Sequence, residues 1–113
     1  MSIMETDGRD VQNIDGTSIC GPPTPSWKQF WLDKSGRRVI PKKCQISGCT
    51  NRATDGAHVW IKGYNGVPLK RMYILPTCNP CNNPSNTAWM PTLQSAIAVH
   101  ISEKDADYDP QCH

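Results

Sequence analysis

The sequence predicts a small α+β domain whose core needs a staple, and three observations predict it. The chain has 113 residues, of which 37% are hydrophobic, with ten Pro, eight Gly and a single Phe, so an interior of roughly 60 to 80 residues is marginal by itself. One short amphipathic segment and one pair of β-rich arms around Asn65-Gly66 supply a helix and a hairpin. Six cysteines are present, four of them in the pairs Cys44-x4-Cys49 and Cys78-x2-Cys81, and these offer the staple.

The elements follow in order. Residues 1–25 set Glu5, Asp7, Asp10 and Asp15 against Arg9 and show no apolar period, which reads as a flexible acidic arm ahead of a folded domain over 26–103. In "SWKQFWLDK", Ser26 is an N-cap and Trp27, Phe30 and Trp31 share one helical face, so a short helix lies over the core. "RRVIPKKC" reads as a short strand ending at Pro41, and "CQISGC" as a turn that uses Gly48 to bring Cys44 and Cys49 together. "GAHVWIKGY" and "VPLKRMYIL" are the hairpin arms, with His58 and Trp60 on the opposite side from Ala57, Val59 and Ile61. Leu93, Ile97 and Ile101 predict a helix over 91–102, although Ile97, Val99 and Ile101 also alternate as a strand would. Residues 104–113 read as an acidic tail.

The first thirty residues hold no apolar run of the secretory kind, and nothing in the chain is apolar for long enough to span a membrane. The expected compartment is therefore intracellular, cytoplasmic or nuclear, with a secreted effector as the alternative. Clustered cysteines in a reducing compartment bind metal more often than they pair.

Two cysteine pairs on short turns supply four thiolates, which suits tetrahedral zinc: Cys44, Cys49, Cys78 and Cys81 are the expected ligands of a structural Zn2+. A site of three cysteines and one histidine such as His58, and disulfides, are the alternatives. No βαβ pattern surrounds Cys78-Asn79-Pro80-Cys81, which argues against a redox pair. A looser set of Cys20, His100, Cys112 and His113 could form a second metal site joining both ends to the core.

A knuckle, a hairpin and a second ligand pair follow one another in the order of a treble clef. "CQISGCTNRATDGAHVWI" followed by "YILPTCNPCNN" resembles the zinc-stabilised His-Asn-His (HNH) endonuclease family over roughly residues 40 to 86. The resemblance implies a ββα-metal-like treble-clef fold, with His58 as general base, Asn82 or Asn86 as last metal ligand, and Mg2+ or Mn2+ as the cation of a nuclease. Two positions depart from that pattern: Ala57 stands where the family has a metal-binding Asp or His, and Tyr73 where it has an Asn. The resemblance is thus to a degenerate module.

Charge is distributed unevenly. Residues 34–71 carry nine basic side chains against Asp55 alone, a balance of +8, while 1–25 and 72–113 each sum to −3. Such a centre attracts polyanions. The expected nucleic-acid contacts, to DNA or RNA, are Arg37, Arg38, Lys42, Lys43, Arg52, Lys62, Lys70 and Arg71, with Trp60 or Tyr73 stacking on a base if exposed. Two other functions fit the same residues: a metal-dependent endonuclease, and a protein-interaction module anchored by Trp27, Trp31 and Trp89.

Overall fold

The structure, a computed structural model, describes residues 3–14, 20–22, 24–83 and 85–102. Six strands and one helix follow in the order β1 (Ile3–Glu5), β2 (Asp10–Asn13), α1 (Trp27–Ser35), β3 (Asp55–Ile61), β4 (Tyr73–Thr77), β5 (Met90–Pro91) and β6 (Ile97–His100). The strands form one antiparallel sheet in the order β1-β6-β4-β3-β2-β5.

That order forces the sheet to curl. β1 and β2 stand first and fifth in it, yet residues 6–9 alone connect them. Four strand spacings on a flat sheet span roughly 19 Å, and five Cα steps reach at most about 17 Å when fully extended. The connection is not extended, because Asp7 and Gly8 turn with φ of 50° and 76°. The sheet therefore closes towards a barrel, and two threonines pin the seam. Thr6 donates its N–H to the Ala96 carbonyl at 2.8 Å and its hydroxyl to Leu93 at 3.1 Å. Thr92 Oγ1 lies 2.7 Å from Thr6 Oγ1 and 2.8 Å from the Arg9 carbonyl.

Alternation along the strands builds two cores. Val11, Ala57, Val59, Ile61, Tyr73, Leu75, Ala96 and Ala98 face inward, together with Cys44 and Cys78. Ile74, Val99, Ile101 and Met72 face outward, where Phe30 and Trp31 of α1 cover them. Ser26 caps α1 by accepting from the Gln29 N–H at 3.1 Å, and Gly36, with φ of 74°, ends it by donating to the Leu32 carbonyl. Gly56 is needed for this docking: a Cβ there would stand 2.8 Å from the Trp27 carbonyl carbon.

The fold differs from the sequence expectation. A curled sheet of six antiparallel strands with one nine-residue helix is not a treble clef or ββα-metal fold. The helix expected over 91–102 is instead β5 and β6, because both parities of 96–101 are buried: Ala96 and Ala98 inside, Val99 and Ile101 outside. A period of two won over a period of 3.6. The strand expected in "RRVIPKKC" is an irregular loop whose ladder contact is an isolated bridge from Lys43 to Arg52, while Ile40 packs on the outer core and Cys44 on the inner. Residues of the expected N-terminal arm contribute β1 and β2, whose inward apolar positions, Met4 and Val11, are too sparse to show a period. The expected tail, 104–113, lies outside the described residues.

The hairpin of β3 and β4 forms as expected in its pairing, from Asp55 with Thr77 to Val59 with Tyr73. Its second arm starts later than expected, at Tyr73, because residues 62–68 fold into a small turn of their own around Gly66. Pro76 sits in an interior strand without cost, since β6 pairs with β4 only at Tyr73 and Ile74.

Candidate metal centre and the basic surface around it

Two loops carry the cysteines, and the backbone shapes both. Residues 42–53 turn back on themselves: Cys44 N–H donates to the Asn51 carbonyl at 2.9 Å, Ala53 N–H to Lys42 at 3.0 Å and Cys49 N–H to Ile46 at 3.2 Å. Gly48 supplies the turn with φ of 81°. In the second loop, Asn82 N–H donates to the Cys78 carbonyl at 3.1 Å.

The first loop also bridges the barrel seam. Gln45 N–H donates to the Pro76 carbonyl at 3.1 Å, Gln45 accepts from Leu93 N–H at 3.0 Å, and Ser47 N–H donates to Pro91 at 2.8 Å. It thus joins the end of β4 to the stretch beyond β5.

The result is a cluster in which the sulfurs of Cys44, Cys49, Cys78 and Cys81 all lie within 4.8 Å of one another. Cys49 Sγ is 3.6 Å from Cys78 Sγ and 3.8 Å from Cys81 Sγ. A tetrahedral ion with metal–sulfur bonds of about 2.3 Å sets its ligand sulfurs roughly 3.8 Å apart. The residues therefore fit a four-coordinate metal ion, and an all-thiolate tetrahedron suits zinc. None of the four is in a disulfide.

Electrostatics agree with that reading. Burial opposes ionisation of Cys78, but the Cys81 N–H, the Cys81 and Cys49 thiols and the Asn51 amide outweigh it and lower this thiol to about 7. Burial raises Cys44 and Cys81, and the neighbouring thiols add to it. One thiolate forms readily and the next are opposed, so a cation is what allows all four to ionise together.

The other candidate residues fall elsewhere. His58 is 8% exposed, its ring lies 4.6 Å from that of Trp27 at 82°, and its Nε2 has no hydrogen-bond partner. Burial lowers this imidazole to about 4. Asp55 accepts from Asn82 Nδ2 at 3.1 Å and from Thr54 at 3.1 Å. Asn86 donates to Met90 Sδ at 3.4 Å. His58 points to the outer core under α1, away from the Asp55–Asn82 contact, so the structure does not assemble these residues around one point.

Of the possible second metal set, Cys20 is disulfide-bonded. His100 is half-buried on β6 beside Tyr73, at 5.7 Å between ring centres. Cys112 and His113 lie outside the described residues.

The basic side chains lie at the surface. Arg37, Arg38, Lys42, Lys43, Arg52, Lys70 and Arg71 are exposed, and among the described residues the ion pair is Lys62 with Asp10, at 4.0 Å. Among the aromatics, Tyr73 and Trp31 are 6% and 2% exposed, which removes both from contact with a partner. Trp27 is engaged with His58 and Phe30, while Trp60 and Trp89 are half-buried.

Four polar residues that hold the centre and the seam have no signature in the sequence. Asn13 on β2 donates its amide to the carbonyls of Cys81 and Asn86, tying the second loop to the sheet. Asn51 donates to Cys78 Sγ at 3.7 Å, the kind of outer contact that orients a metal ligand. Thr6 and Thr92 close the seam. Each is an isolated polar residue whose partner is more than 25 positions away, so nothing local marks it.

No helix among the described residues is long and apolar enough to cross a membrane. Compared with protein-family models, with curated proteins and with solved structures, the chain matches none, so the cysteine cluster and the surface around it carry the functional argument.

Proposed function

We propose that this protein is a zinc-stapled module that binds nucleic acid, with the metal holding the fold and the basic loops gripping phosphates. The observation that carries this reading is the Lys43–Arg52 bridge. Two exposed cations face each other across the metal loop, in register and with no acid between them. Like charges directly opposite on paired strands are destabilising. Stability is given up at that point, and a polyanion laid across the loop returns it. Arg37, Arg38 and Lys42 continue the same loop, and Lys70 and Arg71 add exposed charge beyond the hairpin.

The reading stops at binding. A general base must reach a water beside the phosphate, and His58 is covered by Trp27 with its proton affinity lowered by burial. The cleavage reading would need nicking of plasmid DNA with Mg2+ or Mn2+, lost on His58→Ala.

The test is fluorescence anisotropy of labelled single-stranded and duplex DNA and RNA across a range of salt. The affinity should fall linearly on a log–log plot, with each phosphate contact contributing roughly 0.7 to the slope on single strands and 0.9 on duplex DNA. Lys43→Gln with Arg52→Gln should reduce affinity and slope together while leaving the zinc content unchanged. Absence of salt-dependent binding by the zinc-loaded protein would defeat the proposal.

A further inference from the structure

Trp60, Gln12 and Trp89 stand in a row across three strands. Gln12 on β2 is directly opposite Trp60 on β3. On its other side β2 pairs with β5, Val11 with Met90, so Trp89, one residue before β5, falls level with Gln12. The Gln12 amide donates to the Thr87 carbonyl at 2.8 Å and fixes the approach to Trp89. Between the two indoles is a groove of about 420 Å³, completed by Pro68, Leu69 and Lys70, a volume in the range of small-molecule sites.

This groove is not required by the fold. Trp60 packs at the margin of the outer core, whereas Trp89 contributes to neither core cluster. The strands bearing the two rings are two spacings apart, roughly 10 Å, which leaves room for one flat group standing on Gln12 with an aromatic on either side. Cations complete the site: Lys62 Nζ sits 4.7 Å from the Trp89 ring centre, and Lys70 lines the groove.

We infer that the Trp60–Trp89 groove is a stacking site for one unpaired nucleobase, with Lys62 and Lys70 meeting the flanking phosphates. The inference rests on the nucleic-acid reading above and narrows it to single strands, because a paired base cannot enter between two rings. Aromatic stacking tolerates any base, so the groove supplies affinity without sequence choice. Charge favours a nucleotide over the other ligand that aromatic grooves take, a proline-rich peptide: Lys70 lines the groove as an exposed cation, which an uncharged backbone would not use.

The experiment compares an oligothymidylate with an abasic deoxyribose-phosphate strand of the same length, by anisotropy and by quenching of tryptophan emission. Both carry the same charge, so they differ only in what can stack. The zinc-loaded protein should bind the thymidylate more tightly, by roughly five- to 150-fold, the range for one stacked base, and only that strand should quench emission. Trp89→Ala should bring the two affinities together, with the salt slope unchanged, and Trp89→Phe should restore part of the difference. Equal affinity for both strands in the unaltered protein, with a normal salt slope, would overturn the stacking site and leave the nucleic-acid reading intact. No salt-dependent binding of either strand would remove both. Quenching by a proline-rich peptide at an affinity indifferent to salt, together with no preference for the thymidylate strand, would assign the groove to peptide instead.

Discussion

The two faces of the curled sheet are closed by different means. The outer face is covered by one helix of nine residues, whose Phe30 and Trp31 fill the space over Met72, Ile74, Val99 and Ile101. The inner face is lined largely by short side chains, among them Ala57, Ala96 and Ala98, and at one end two irregular loops complete it. A helix satisfies its own backbone and can be held by side-chain packing alone. Loops such as 42–53 and 78–83 cannot, and here two of their four cysteines, Cys44 and Cys78, are themselves buried members of the inner core. The contrast teaches where a small chain places a cluster able to hold a metal: at the seam where regular structure runs out.

The sharpest way to break the contrast is to remove the metal. Structural zinc in small domains contributes about 10–16 kcal/mol, against a total stability of about 5–15 kcal/mol for an ordinary domain. Chelation, or Cys78→Ser, should therefore abolish cooperative thermal unfolding and collapse amide dispersion in NMR spectra. A chain that still unfolds cooperatively without metal would show that the Thr6–Thr92 contacts and the loop hydrogen bonds hold the seam alone. The matching change on the other face is Phe30→Ala, at a ring 1% exposed. It should cost about 3–5 kcal/mol by chemical denaturation while zinc stoichiometry by mass spectrometry stays that of the unaltered protein.

The same contrast explains what the sequence disclosed. The cysteine cluster was legible because cysteines are rare residues and here stand at characteristic spacing, and α1 was legible because Ser26 and the three aromatics are local signals. The β3–β4 pairing was legible from its two apolar arms, but the Asn65-Gly66 turn proved to belong to a smaller loop at the tip. The closure was not legible. β1 and β2 are three and four residues long and take their partners from β6, β3 and β5. Strands that short carry no period of their own, and their stability comes from neighbours distant in sequence. Residues 96–101 had both periods, and burial on both sides of the strand decided between them.

Acid should separate the faces by a second route. His58 lies under α1 with its imidazole lowered to about 4, against about 6.5 when unfolded. The unfolded chain binds the extra proton between those values, so stability is intact above about pH 6.5 and declines as pH falls towards 4. The loss reaches about 3 kcal/mol, from 1.36 kcal/mol per pH unit. Denaturant midpoints at a series of pH values, compared between the native protein and His58→Phe, isolate this contribution from acid release of the metal, which both proteins share. Parallel curves would mean that the imidazole accepts a proton without leaving its place beneath Trp27.

The smallest expected effect tests whether the two faces are coupled. Ser26→Ala removes the oxygen that accepts from Gln29 N–H, which typically costs about 1 kcal/mol, or about 4–8 °C in Tm for a domain of this size. Ser26→Asp should cost little, since a carboxylate accepts the same bond and suits the helix N-terminus. The loss should register in thermal stability and leave the rate of zinc transfer to a chelator unchanged, because α1 and the cysteine loops meet opposite sides of β3 and β4. A Ser26→Ala protein that surrenders zinc faster would show that loosening the helix also loosens the seam, and the metal and the helix would then stabilise one cooperative unit through the sheet between them.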